Sequence, residues 1–146
     1  MPKVIHPHYT VKMHRDLKPD NILIGQEMDV KISDFGLARA SDGIDITGQI
    51  GTPLYAAPEV YTKYLEAYNH NCDVWAGGLI LVEMLTGSNP FDHIKTFPEL
   101  KAEWVKFEKG EKRVEYDAKF HPQWEYITNL MLTHNSKKRP TFHDIL

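Results

Sequence analysis

The chain has 146 residues, 42% of them hydrophobic, 25% charged and 11% aromatic, enough apolar material for one domain with a buried core. Its 17 Lys and Arg against 20 Asp and Glu leave a net charge of −3, which gives no basic field for nucleic acid, and no apolar run reaches the roughly 18 residues of a membrane helix. Cys72 is the one cysteine, so neither an internal disulfide nor a Cys-based zinc cluster can form, and Met1–His6 lacks the long apolar stretch of a secretory signal. The expected location is intracellular, in the cytoplasm, with no membrane or nucleic-acid partner.

In chain order, Ile22-Leu23-Ile24 and residues 28–32 read as two short strands, separated at hairpin length by Gly25-Gln26-Glu27. Residues 39–53, rich in Gly, Ser, Asp and Thr, read as a long exposed loop, and loops of that size are commonly functional. The strongest helix runs from Asp73 to Thr86. Asp73 is a good N-cap, Gly87 a good residue just past the end, and Pro90 stops any continuation. Its apolar residues cover nearly every face, which predicts a helix buried on all sides, the central post of the fold. Pro98, followed by Glu99, opens a second helix through about Phe107. The charged stretch from Lys101 to Lys119 reads as a solvated surface between helices. Trp124, Ile127, Leu130 and Met131 recur at helical spacing and mark a third helix, and Thr141–Leu146 begins a fourth. The predicted fold is mainly α with a small β-hairpin.

The chemistry-bearing residues gather around that hairpin. His14-Arg15-Asp16-Leu17-Lys18-Pro19-Asp20-Asn21 lies just before it, and Asp34-Phe35-Gly36 just after it. A hairpin flanked in this way brings the side-chain oxygens of Asp16, Asn21 and Asp34 to one end. Such hard oxygens suit Mg²⁺, which takes few protein ligands and completes its shell with water and phosphate. Taken singly, an Asp after an Arg is commonly a surface pair or a helix cap. His6, His8 and His14 could be imagined as zinc ligands, but no acidic or Cys partner clusters with them, and a solvated loop is the better reading.

Together these motifs resemble the protein kinases of the serine/threonine type. The match includes the full H-R-D-L-x-x-x-N signature, Asp34-Phe35-Gly36, Ala57-Pro58-Glu59, Asp73-Val74-Trp75 and Arg139-Pro140, in order, and covers nearly the whole chain from about residue 12. The resemblance implies a transferase that moves the ATP γ-phosphate to Ser or Thr hydroxyls of protein substrates. Asp16 would accept the substrate proton, Lys18 would place positive charge at the transferring phosphoryl group, and Asn21 and Asp34 would hold Mg²⁺. Thr52 would hydrogen-bond around the catalytic Asp and Lys, and Leu23 would lie under the adenine ring of ATP. Lys18-Pro19 is the serine/threonine form of the loop. Arg15 would receive a phosphate placed on Thr47 of the activation segment. His14 and Phe35 would pack inward beneath the site. Glu59 and Arg139 would form a buried ion pair, and Asp73 would cap its helix and hydrogen-bond the catalytic-loop backbone.

No Gly-x-Gly-x-x-Gly run and no Val-Ala-Ile-Lys strand precedes His14. The expectation is a single partial kinase domain over residues 1–146: catalytic loop 14–21, activation segment 34–59, buried helix about 73–86, N-terminal lobe absent. Apolar faces that the missing parts normally cover would be exposed and would invite a partner. Alone, such a chain would bind Mg-ATP weakly and transfer phosphate negligibly. The alternative is a non-catalytic lobe used as a docking or regulatory module.

Overall fold

A computed structural model describes residues 12–35, 39–40, 53–62, 70–116 and 122–146. Four short strands form two separate antiparallel pairs: β1 (Lys12–Met13) with β4 (Arg39–Ala40), and β2 (Ile22–Ile24) with β3 (Val30–Ile32). The helices are α1 (Pro58–Thr62), α2 (Asn71–Thr86), α3 (Phe97–Glu108), α4 (Pro122–Met131) and α5 (Phe142–Ile145), with 3₁₀ turns at Pro19–Asn21 and Pro53–Tyr55. The mainly helical layout with a small hairpin is the one expected.

The hairpin is tighter than its sequence suggests. Ile22 faces Ile32, Leu23 faces Lys31 and Ile24 faces Val30. Gly25 N–H donates to the Asp29 carbonyl at 2.8 Å, closing the turn. A Cβ on Gly25 would fall 1.9 Å from an Asp29 carboxylate oxygen, so a larger residue there would have to turn the Asp29 side chain aside. Met28, expected in the second strand, sits in the turn at φ 60° instead. Strands β1 and β4 went unread because two residues carry no periodicity, and Arg39 and Ala40 fall where a loop was expected.

Helix α2 is the central post, as its composition predicts. Trp75, Leu79, Val82 and Val74 are wholly buried, and Trp75 meets Trp104 and Phe107 of α3 edge to face. Phe91 adds its edge to Trp104, so four aromatic rings lock α2 to α3. A smaller cluster of Leu17, Ala76 and Ile80, with Ile22 against it, joins α2 to the hairpin. On another face α2 packs on α4, where a Cβ on Gly78 would stand 2.9 Å from Met131 Cβ. The α2 start corrects the expected cap: the helix begins at Asn71, His70 is at the cap position without a side-chain hydrogen bond, and Asp73 lies inside the first turn. Gly87 does end the helix, at φ 84°. Helix α3 begins one residue earlier than Pro98 because Thr96 and Glu99 form a reciprocal capping box. Thr141 and Asp144 do the same for α5. Cys72 is buried on α2, and burial pushes its thiol well above the usual range, so it is packing rather than a nucleophile.

Candidate active site

The catalytic-loop segment rests on the start of α2. One carboxylate oxygen of Asp73 accepts the His14 backbone N–H at 2.7 Å, and the other accepts that of Arg15 at 2.8 Å. Arg15 sits at φ 72°, a left-handed conformation that costs a non-glycine residue energy and persists only when its surroundings hold it. The two amide bonds to Asp73 are that restraint. Burial pushes the Asp73 carboxyl above the ordinary carboxylate range, and the two amide donors oppose the shift. Asp73 therefore shapes the loop from below, from within α2 rather than from its cap.

Above this anchor, Asp16, Lys18 and Asn21 converge. Lys18 Nζ lies 3.2 Å from an Asp16 carboxylate oxygen, with both side chains mostly shielded. Asn21 is buried and donates its Nδ2 to the Asp16 carbonyl at 2.8 Å and to the Asp16 carboxylate at 3.3 Å. The hairpin then folds Asp34 back to the same end, since Ser33, the residue before it, donates its backbone N–H to the Asn21 carbonyl at 2.8 Å. His14 Nε2 stands 2.8 Å from the Ser33 carbonyl, and the Asp16 N–H points at His14 Nδ1 at 3.3 Å. This pattern requires the proton on Nε2, and it occupies both ring nitrogens. A zinc role for His14 is thereby removed.

Phe35 departs from expectation. Its ring meets that of His14 edge to face at 4.8 Å, yet it stays 55% exposed rather than packed inward. It caps one side of His14. Leu23 lies on the hairpin face opposite Ile22 and Ile24 and is about half exposed. Asp34 is exposed at φ 59°, two residues after β3 ends.

Glu59 and Arg139 meet in a buried two-pronged ion pair, with Nη1 to Oε1 at 2.6 Å and Nη2 to Oε2 at 3.1 Å. Arg139 also donates to the carbonyls of Asn71 and Thr133 and lies over the Trp75 ring. The pair ties α1, the start of α2 and the C-terminal segment into one unit. Thr52 and Thr47, and the histidines at 6 and 8, lie outside the described residues. Among described residues that the motifs did not single out, Tyr55 donates to Glu83 on α2 at 2.6 Å, and Asn71 donates to the Ser136 carbonyl at 2.8 Å. Neither has a local sequence signal, since both depend on partners far along the chain.

The donor set fits a hard cation. Asn21 spends its amide nitrogen on Asp16, which leaves its side-chain oxygen as the atom it offers, and Asp34 supplies a carboxylate. No group of three or more His, Cys, Asp or Glu gathers among the described residues. Two oxygen-bearing residues suit Mg²⁺ carried in with phosphate oxygens better than a tightly caged structural metal.

A family model for the protein kinase domain matches residues 3–146. The chain is 33% identical over 140 residues, 96% of its length, to a probable serine/threonine-protein kinase of Dictyostelium discoideum. It is 31% identical over 143 residues to serine/threonine-protein kinase MST20 of Pyricularia oryzae. Over 93 residues, 62% of the chain, it is 44% identical to mitogen-activated protein kinase sty1 of Schizosaccharomyces pombe. It spans 10%, 15% and 26% of those three proteins respectively. The signature loop and the buried Glu59–Arg139 pair now have one explanation: the chain belongs to the protein kinase family.

Proposed function

We propose that this chain supplies the phosphoryl-transfer half of a serine/threonine protein kinase, moving the γ-phosphate of ATP to Ser or Thr hydroxyls of protein substrates. The observation that carries the reading is the Asp16–Lys18–Asn21 cluster, shielded and held in one hydrogen-bonded array. Asp16 accepts the hydroxyl proton and orients the nucleophile. Lys18 holds positive charge where the transferring group gathers negative charge. Asn21 and Asp34 hold Mg²⁺, which when bound neutralises phosphate oxygens. Leu23 forms the floor for adenine, and Thr52 braces Asp16 and Lys18. Arg15 receives a phosphate on Thr47, which orders the segment 34–59 by charge-assisted hydrogen bonds.

The functional unit in this reading is one part of a kinase domain, built from loop 14–21, segment 34–59 and the buried helix. Its nucleotide cleft is completed by protein that covers the exposed hairpin, where Leu23, Ile24, Val30, Ile32 and Phe35 are each 47–67% exposed. The location proposed with this reading is intracellular, in the cytoplasm, where the reaction would draw on ATP. No helix among the described residues is long and apolar enough to cross a membrane.

The test uses the protein tagged and recovered from its own cells with whatever sequence or partner accompanies it. Labelled ATP and a Ser/Thr peptide array report transfer, beside Asp16→Asn. Transfer that falls at least about a hundredfold in the variant supports the reading. Transfer equal in both, or absent while the protein binds partners through this region, overturns it in favour of a docking module.

A further inference from the structure

Ser33 carries more hydrogen bonds at the site than its place beside a motif suggests. Its backbone N–H and its Oγ both donate to the Asn21 carbonyl, at 2.8 and 3.2 Å. Its own carbonyl lies 2.8 Å from His14 Nε2. One residue thus touches the loop through His14, touches Asn21 directly, and is covalently next to Asp34. We infer that the Ser33 hydroxyl is a positioning group that sets Asn21 against Asp34, the two residues proposed to hold the metal.

The physical argument separates the hydroxyl from the strand. The backbone N–H to Asn21 forms whatever side chain stands at 33, and continues the pairing of Ile22 with Ile32 by one step. That single bond lets the Asn21 peptide rock about its donor. A second donor on the same carbonyl fixes the peptide plane, and the Asn21 side chain, already tied to Asp16, then has one orientation. Serine and threonine can make the bond, and alanine and valine cannot. A metal whose two protein ligands sit on different segments is sensitive to the angle between them, because preorganised ligands lose less on binding.

This inference rests on the kinase reading, and the experiment keeps the two apart. The protein recovered from its cells is titrated with Mn²⁺ and ATP, with bound Mn²⁺ read by electron paramagnetic resonance, for wild type, Ser33→Val and Ser33→Thr. Valine and threonine match in shape and differ in the hydroxyl. The expected result is Mn²⁺–ATP affinity about three- to tenfold weaker for Ser33→Val, near wild type for Ser33→Thr, with thermal melts of the two variants alike. Equal affinity in all three proteins overturns the positioning role alone. Equal weakening in both variants overturns it too, because the hydroxyl would then not be the cause. A wild type that takes up no Mn²⁺ with ATP brings down the kinase reading and this inference with it.

Discussion

The two ends of the catalytic loop live in different physical worlds. Below, the loop meets α2 at a buried, densely packed base: Asp73 on two amides, Glu59 on Arg139, four aromatic rings edge to face. Above, the hairpin carries Ile24 and Val30 at 67% and 65% exposure on one face and Leu23 at 52% on the other. The same loop is thus anchored where shape matters and left open where the reading places the nucleotide. Stability and ligand capture fall on opposite sides of it, and substitutions on the two sides should behave differently.

The largest effect should come from the anchored side. Arg139→Ala leaves Glu59 buried without its counter-ion and should cost about 3–5 kcal/mol, seen as a lost or strongly lowered urea midpoint. Gly78→Val pushes a branched Cβ into Met131 and Leu132 and should cost about 1–3 kcal/mol by the same measurement. Asp73→Asn leaves one catalytic-loop amide poorly paired and should cost about 1–3 kcal/mol; hydrogen exchange should speed up at residues 14 and 15 before the rest of the chain responds. A smaller effect concerns Tyr55, whose phenol is pushed up from 10.0 to about 12, by burial first and then by its bond to Glu83. Because the folded state favours the protonated phenol, this contribution is whole below pH 10 and is lost as pH rises through about 12. Tyr55→Phe should flatten that alkaline decline. Smallest of all, Ile24→Thr on the open face should move the melting temperature little, within about 0.5 kcal/mol, while lowering light scattering at high concentration. A large loss of stability from Ile24→Thr would mean the two sides are not distinct.

The anchored side was also the more legible one. Helix α2 could be read from composition because burial on all faces leaves a mark on every residue, and Gly87 ends it with a left-handed turn that few other residues adopt as readily. Its start was misplaced because Asp73 is both a plausible cap and a buried acceptor, and only the fold shows which donors reach it. The Thr96–Glu99 and Thr141–Asp144 boxes were readable from spacing but yielded to Pro98 and to a bare helix start. Strands β1 and β4 leave no periodicity at two residues each. At the site, the loop motif identified Asp16, Lys18 and Asn21, whereas Ser33 and Tyr55 act through partners 12 and 28 residues away that no local pattern predicts. Phe35 was expected inside because the family resemblance implies it packs beneath the site. Its exposure belongs to the open upper face.

The Glu59–Arg139 pair also orders events in time. The two residues are 80 apart in sequence, so a chain emerging from the ribosome presents Glu59 long before its counter-ion exists. At about 5–20 residues per second that interval is roughly 4–16 s, during which α1 and the catalytic loop must persist without their lock. Closing so long a loop adds its own entropic delay. A substitution at Arg139 would be felt first as protein lost during synthesis, before any assay of the finished molecule could register it.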